Sequence, residues 1–175
     1  MSENPSDESK NAPRRRARDP GTAAAAKPGN PRRPAADFGS VLVVDDNRDA
    51  VDILCRLLGT QHLHTIPAYG GSECLDIARS QPIDLILLDV SMPGMDGLAV
   101  CRELAKEERT RSIPIILVTA RDDHETRVAG MRLGVSEFLT KPVNRAELLE
   151  RVRGQLSARV LAREMDETIE RTPQE

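Results

Sequence analysis

"LILLDVSMPGMDG", Leu85 to Gly97, decides the fold. It opens on four consecutive large aliphatic residues with no polar position between them. Such a run reads as a strand covered on both faces, not a half-buried one. The run stops at a carboxylate, Asp89, and passes at once into Pro93, Gly94, Asp96 and Gly97, residues that make turns. A strand of this kind belongs in a parallel sheet wrapped by helices. An acid at its tip would then stand at the sheet edge where ligands bind in such folds. Whether Asp89 is only a turn residue depends on what the other strands bring to the same edge.

The same pattern recurs on either side. "SVLVVDD" (40–46) and "IPIILVTA" (113–120) are uninterrupted apolar runs, while "LHTIPA" (63–68) and "VSEFLT" (135–140) are weaker strands. Pro67 marks a strand end or an edge, because proline offers no N–H to a ladder. Between the strands lie helical patterns. Residues 47–59 place Val51, Leu54, Leu57 and Leu58 at helical spacing and close on Gly59, and further helices are expected over 71–81, 96–107 and 122–132 and from Asn144 onwards. Five strands alternating with five helices predict an α/β domain with a doubly wound parallel sheet.

Composition sets the limits. Hydrophobic residues make up 39% of the 175, but aromatics only 2%, so Leu, Ile, Val and Ala must pack the core. The net charge of −3 hides an asymmetry: residues 1–39 carry eight Lys/Arg against five acids, leaving the remainder at −6. That first segment also holds six of the twelve prolines and almost no large apolar side chains, so it reads as a disordered tail. Its "RRRAR" run lacks interleaved aromatics, and nucleic-acid binding is not expected from it. The expected organisation is a tail at 1–39, one domain at 40–158 and a helical extension or tail at 159–175. Cys55, Cys74 and Cys101 all fall in expected helices without ligand spacing, where free cysteines behave as small buried hydrophobes. No run approaches the roughly 18 apolar residues of a membrane helix. A cytoplasmic protein with reduced thiols is the expectation.

The polar residues converge. Asp45 and Asp46 follow the first strand, Asp89 ends the third, Thr119 ends the fourth and Lys141 follows the fifth. Two carboxylates about 5 Å apart repel by roughly 3 kcal/mol at an effective dielectric of 20, so three acids on one rim call for a cation. Lys141 offsets part of this. A hard divalent ion bound through oxygens, Mg²⁺ above all, suits the remainder. A carboxylate beside a metal, an ammonium and a hydroxyl is equipped to attack phosphorus.

On the motifs "VLVVDDN", "LILLDVSMPGMDG", "IPIILVTA" and "GVSEFLTKP", the chain resembles response-regulator receiver domains over residues 40–156. The resemblance implies a flavodoxin-like sheet of order 2-1-3-4-5. It makes Asp89 the phosphoacceptor. It assigns Mg²⁺, with Mn²⁺ able to substitute, to Asp45, Asp46, Asp89 and the backbone carbonyl of Ser91. It gives Lys141 and Thr119 to the phosphoryl group, and Thr119 and Phe138 to a conformational switch. It makes Lys141–Pro142 a cis peptide bond, and it gives Ser91 and Arg121 to the tuning of acyl-phosphate hydrolysis. It implies a signalling protein, not an enzyme in its own right, phosphorylated by a histidine kinase or a histidine phosphotransfer protein. Its output would be binding to a downstream effector or a phosphorylation-dependent homodimer, with a phosphoryl relay or a DNA-associated role for the basic tail as alternatives. Phosphatases of the haloacid-dehalogenase type also use a strand-tip Asp, but need a second Asp two residues on, where this chain has Ser91.

Overall fold

The structure, a computed structural model, describes residues 39–120 and 123–171. The tail expected over 1–39 therefore lies outside the described residues except for Gly39, as do Arg121 and residues 172–175. In chain order the elements are β1 (Ser40–Val44), α1 (Arg48–Gly59), β2 (His64–Ala68), α2 (Gly71–Ser80), β3 (Leu85–Asp89), α3 (Gly97–Lys106), β4 (Ile115–Thr119), α4 (His124–Arg132), β5 (Glu137–Thr140) and α5 (Arg145–Arg171). The five strands form one parallel sheet in the order β2-β1-β3-β4-β5. β2 is an edge strand, which is where a strand can carry Pro67. Lys141–Pro142 is cis.

Two apolar layers sandwich the sheet. Leu42, Val44, Ile86, Leu88 and Leu117 face α2 and α3, which supply Cys74, Leu75, Ala78, Val100, Cys101 and Leu104. The alternate residues Val41, Val43, Leu85, Leu87, Ile116 and Val118 face the other way, onto Val51 and Leu58 of α1 and Leu148, Val152 and Leu156 of α5. Every residue of β3 and β4 is buried, as the unbroken aliphatic runs require of a sheet covered on both sides. Burying each such side chain contributes roughly 1.5–3 kcal/mol, which is how a chain poor in aromatics holds this core.

Helix ends follow local chemistry. Asn47 caps α1 by accepting from the N–H groups of Asp49 and Ala50, Asp96 caps α3 through Ala99, and Asp123 caps α4 through Thr126. His62 lies in the turn before β2, with φ of 60°. α5 continues without a break to Arg171, and beyond the domain's core Val160, Leu161 and Met165 stand exposed on it.

The cysteines divide. Cys74 and Cys101 are buried in the α2/α3 layer, whereas Cys55 is only half-buried, unlike the fully buried site expected for it. Burial pushes the Cys74 and Cys101 thiols up to about 12. At pH 8 a thiol of that kind is thiolate in only about one molecule in ten thousand. Burial also raises Cys55, with a hydrogen bond to Thr65 opposing it. Iodoacetamide under native conditions is therefore expected to label Cys55 first and to leave Cys74 and Cys101 untouched until urea unfolds the chain. Mass mapping of the alkylated peptides reads the order.

Candidate functional site

The right-handed crossovers of a parallel sheet deliver strand C-termini to one edge. β1 runs into Asp45 and Asp46, β3 ends on Asp89, β4 on Thr119, and Lys141 follows β5. The pairing register brings these ends level: Val44 lies opposite Leu88, Asp89 opposite Val118, and Thr119 opposite Thr140. One carboxylate oxygen from each of Asp45, Asp46 and Asp89 lies within 4.8 Å of the other two. Asp45 and Asp89 are buried and Asp46 is exposed. Asp45 Oδ1 accepts from the backbone N–H of Asn47 at 2.9 Å, so the cap of α1 also orients this acid.

Lys141 Nζ lies 2.6 Å from Asp89 Oδ1 and 3.7 Å from Asp45 Oδ2. The contact with Asp89 is a close ion pair without the alignment of a hydrogen bond. Asp89 Oδ2 and Thr119 Oγ1 are buried and have no hydrogen-bond partner among the described residues. Burial pushes the Asp89 carboxyl above the usual carboxylate range. The Lys141 ammonium opposes that rise, and Asp45 and Asp46 add to it. For Lys141, burial pulls downwards, but the neighbouring Asp89 carboxylate outweighs it and the net shift is up. Both partners shift upwards because their exposure differs: Asp89 is 2% exposed, while 45% of the Lys141 side chain remains in water. The pair favours the ammonium without repaying the burial of the carboxylate.

A buried, underpaired carboxylate oxygen flanked by two further acids is an oxygen-rich, anionic donor set. It fits a hard divalent cation such as Mg²⁺ or Mn²⁺ and does not fit a soft one. Among the described residues no cysteine or histidine joins this cluster.

The loop after β3 is wound tightly. Val90 O accepts from Met92 at 3.1 Å and from Gly97 at 2.9 Å, Pro93 O accepts from Met95 at 3.0 Å, and Gly94 has φ of +78°. Ser91 is exposed, in the first turn of this loop. Gly97 is pressed against Asp89: a Cβ on it would lie 2.5 Å from the Asp89 carbonyl oxygen and 2.9 Å from Val90 Cα. In the sequence Gly97 carries only a turn signal, since nothing local announces a backbone seven and eight positions away. Phe138 is half-buried on β5 opposite Leu117.

Beside the acids a cavity of about 570 Å³ opens, lined among others by Asp45, Leu54, Leu57, Asp89, Lys141 and Val143. Ile53, 64% exposed, also lines it. The sequence does not announce this apolar wall, since Leu54 and Leu57 share one helical stripe with the buried Val51 and Leu58. Ile53 was the available signal, being one aliphatic residue more than the buried stripe of α1 requires.

Comparison with known proteins places the chain in a family. Residues 41–153 match the family model described as the response regulator receiver domain. The response regulator PleD of Caulobacter vibrioides is 43% identical over 113 residues, covering 65% of this chain but only 25% of PleD. Among solved structures, a response regulator receiver protein from Pseudomonas putida is 35% identical, with a TM-score of 0.64 over 68% of this chain and 98% of its own. The chemotaxis protein CheY4 of Vibrio cholerae is 27% identical, with a TM-score of 0.65 over 68% of this chain and 99% of its own.

Proposed function

The chain belongs to the response regulator receiver domain family, and from that premise we propose that it takes a phosphoryl group onto Asp89 from a phosphohistidine and signals by phosphorylation-dependent protein binding. The donor is a histidine kinase or a histidine phosphotransfer protein. The observation that carries this reading is the buried Asp89 carboxylate, with one oxygen unpartnered, inside a cluster of three acids whose ligand atoms lie within 4.8 Å.

An Asp89 oxygen attacks phosphorus, an O–P bond forms, and the P–N bond of the donor breaks with its electron pair leaving on the imidazole. Asp45, Asp46, Asp89 and the Ser91 carbonyl would hold Mg²⁺, which when bound neutralises charge on the phosphoryl oxygens. Lys141, 2.6 Å from Asp89, contributes a second positive charge there. Burial of Asp89 keeps bulk water from the acyl phosphate, whose hydrolysis Ser91 and Arg121 tune. The Thr119 hydroxyl, unpartnered at the end of β4, turns to the phosphoryl oxygens, and Phe138 follows it. Phosphorylation thereby biases a two-state element on the α4/β5/α5 side, the surface an effector or a second copy reads.

The full chain incubated with Mg²⁺ and acetyl phosphate is expected to gain the mass of one phosphoryl group, with the adduct on the peptide that contains Asp89. EDTA is expected to prevent it. An unchanged intact mass, or an adduct that maps to another residue, refutes the reading. Size-exclusion elution with and without beryllofluoride separates monomer signalling from a switched homodimer.

A further inference from the structure

Against the Phe138 ring lies a contact that the chemistry above does not use. Gly130 of α4 is buried against the ring: a Cβ on it would lie 3.0 Å from both Cε1 and Cζ of Phe138 and 3.4 Å from Leu117 Cδ2. One turn earlier on the same helix face, the Arg127 guanidinium carbon stands 5.7 Å from the centre of that ring. Arg127 Nη2 also donates to the hydroxyl of Thr140, while its Nε is buried and has no hydrogen-bond partner among the described residues. Thr140 is the cross-strand partner of Thr119, and Phe138 is that of Leu117. Arg127 therefore touches the aromatic ring and the strand neighbour of the buried hydroxyl at once. The guanidinium is half-buried, spans two strand positions and leaves one N–H unsatisfied, an arrangement that favours release once the ring moves.

We propose that Arg127 and Gly130 form a latch on α4 that holds the Phe138 ring in the seat seen here, in which the Thr119 hydroxyl has no partner. Gly130 makes room for the ring, and Arg127 lies over it and ties α4 to β5. The latch rests on the switch role given above to Thr119 and Phe138. A ligand that engages Thr119 must draw the ring out of this seat, so its apparent affinity is the intrinsic one multiplied by the fraction of molecules unlatched. A cation over an aromatic face together with one hydrogen bond to a charged donor corresponds to roughly threefold to tenfold in such an equilibrium.

The test uses the full chain with Mg²⁺ and beryllofluoride as the phosphoryl mimic. Two readouts are taken: the dissociation constant, and the ring signals of Phe138 in protein carrying labelled phenylalanine, in which Phe38 is the reference. Arg127→Gln removes the charge and the planar fork, ending the side chain in an amide two atoms shorter. It is expected to tighten mimic binding about threefold to tenfold and to shift the Phe138 signals before any mimic is added. Gly130→Ala places a methyl where the ring lies and is expected to move both readouts the same way, as an independent check should one variant fold poorly. Arg127→Lys, which retains a cation without the planar fork, should fall between. If Arg127→Gln and Gly130→Ala, both folded, bind the mimic as the parent does and leave the Phe138 signals in place, the latch is refuted while the phosphoacceptor reading stands. If the parent itself takes up no mimic, both fall.

Discussion

Asp89→Asn is expected to acquire no phosphoryl group and, in the absence of divalent cations at pH 7, to melt above the parent by an amount equivalent to about 1 kcal/mol. The first half follows from chemistry, since an amide oxygen is no nucleophile toward phosphorus. The second follows from electrostatics. Asp89 is 2% exposed, has a buried oxygen without a partner and stands in a cluster with Asp45 and Asp46. Its carboxyl is raised above the ordinary value, chiefly by burial. A folded-state pKa above the unfolded one means that the folded chain binds this proton more tightly. Stability from the group is therefore complete below the unfolded carboxyl pKa and is lost as pH rises through the folded value. Neutral pH lies past the ordinary range in which that loss begins, and asparagine has nothing to lose. Lys141 forfeits its partner in the variant, but 45% of its side chain is in water and Asp45 remains within 3.7 Å. The advantage of the variant should shrink as the pH is lowered and vanish only below about 4, the ordinary carboxyl pKa, where the parent becomes protonated in both states. Saturating Mg²⁺ should shrink it from the other side, because an ion present at 100 times its dissociation constant stabilises the parent by about 2.7 kcal/mol. Melting curves across pH, with and without Mg²⁺, test all of this. A variant that melts at or below the parent without Mg²⁺ would contradict the account of a strained acidic cluster.

Gly97→Ala should do the opposite on a larger scale. The added methyl would lie 2.5 Å from the Asp89 carbonyl and 2.9 Å from Val90 Cα, both of them backbone atoms. Neither side yields easily: β3 is paired on both flanks, and Gly97 is tied back to Val90 by its own N–H at 2.9 Å. Overpacking against backbone of this kind costs about 3 kcal/mol, which is roughly 10 °C in Tm for a domain of this size. The displaced atoms belong to Asp89, the proposed phosphoacceptor, so phosphorylation should fall by about a hundredfold even in the folded fraction. Gly154→Ala on α5 is the control. A Cβ there meets nothing within 4 Å, and the substitution should leave the Tm unchanged or raise it, since alanine is the better helix former. Equal melting of the two variants would show that α3 has more freedom against β3 than the contact distances allow.

The architecture and the membership of the acidic cluster were legible in the chain because both rest on local signals. "SVLVV", "LILLD" and "IILVT" are apolar without alternation, which only a doubly covered strand permits, and each is followed by a helical period. Once the strands are parallel, right-handed crossovers carry all their C-termini to one edge, so Asp45, Asp46, Asp89, Thr119 and Lys141 must meet there. Only the tertiary structure decided the rest. In a uniformly aliphatic strand no periodicity says that Leu42 and Val44 face α2 and α3 while Val41 and Val43 face α1 and α5. Nor does any spacing reveal that Gly97 lies on the Asp89 carbonyl, that Gly130 makes room for Phe138, or that Ile53 lines the cavity beside the acids. Those contacts are set to within a fraction of an ångström by how whole helices seat on the sheet. That seating is a sum over many apolar contacts, and no single residue encodes it.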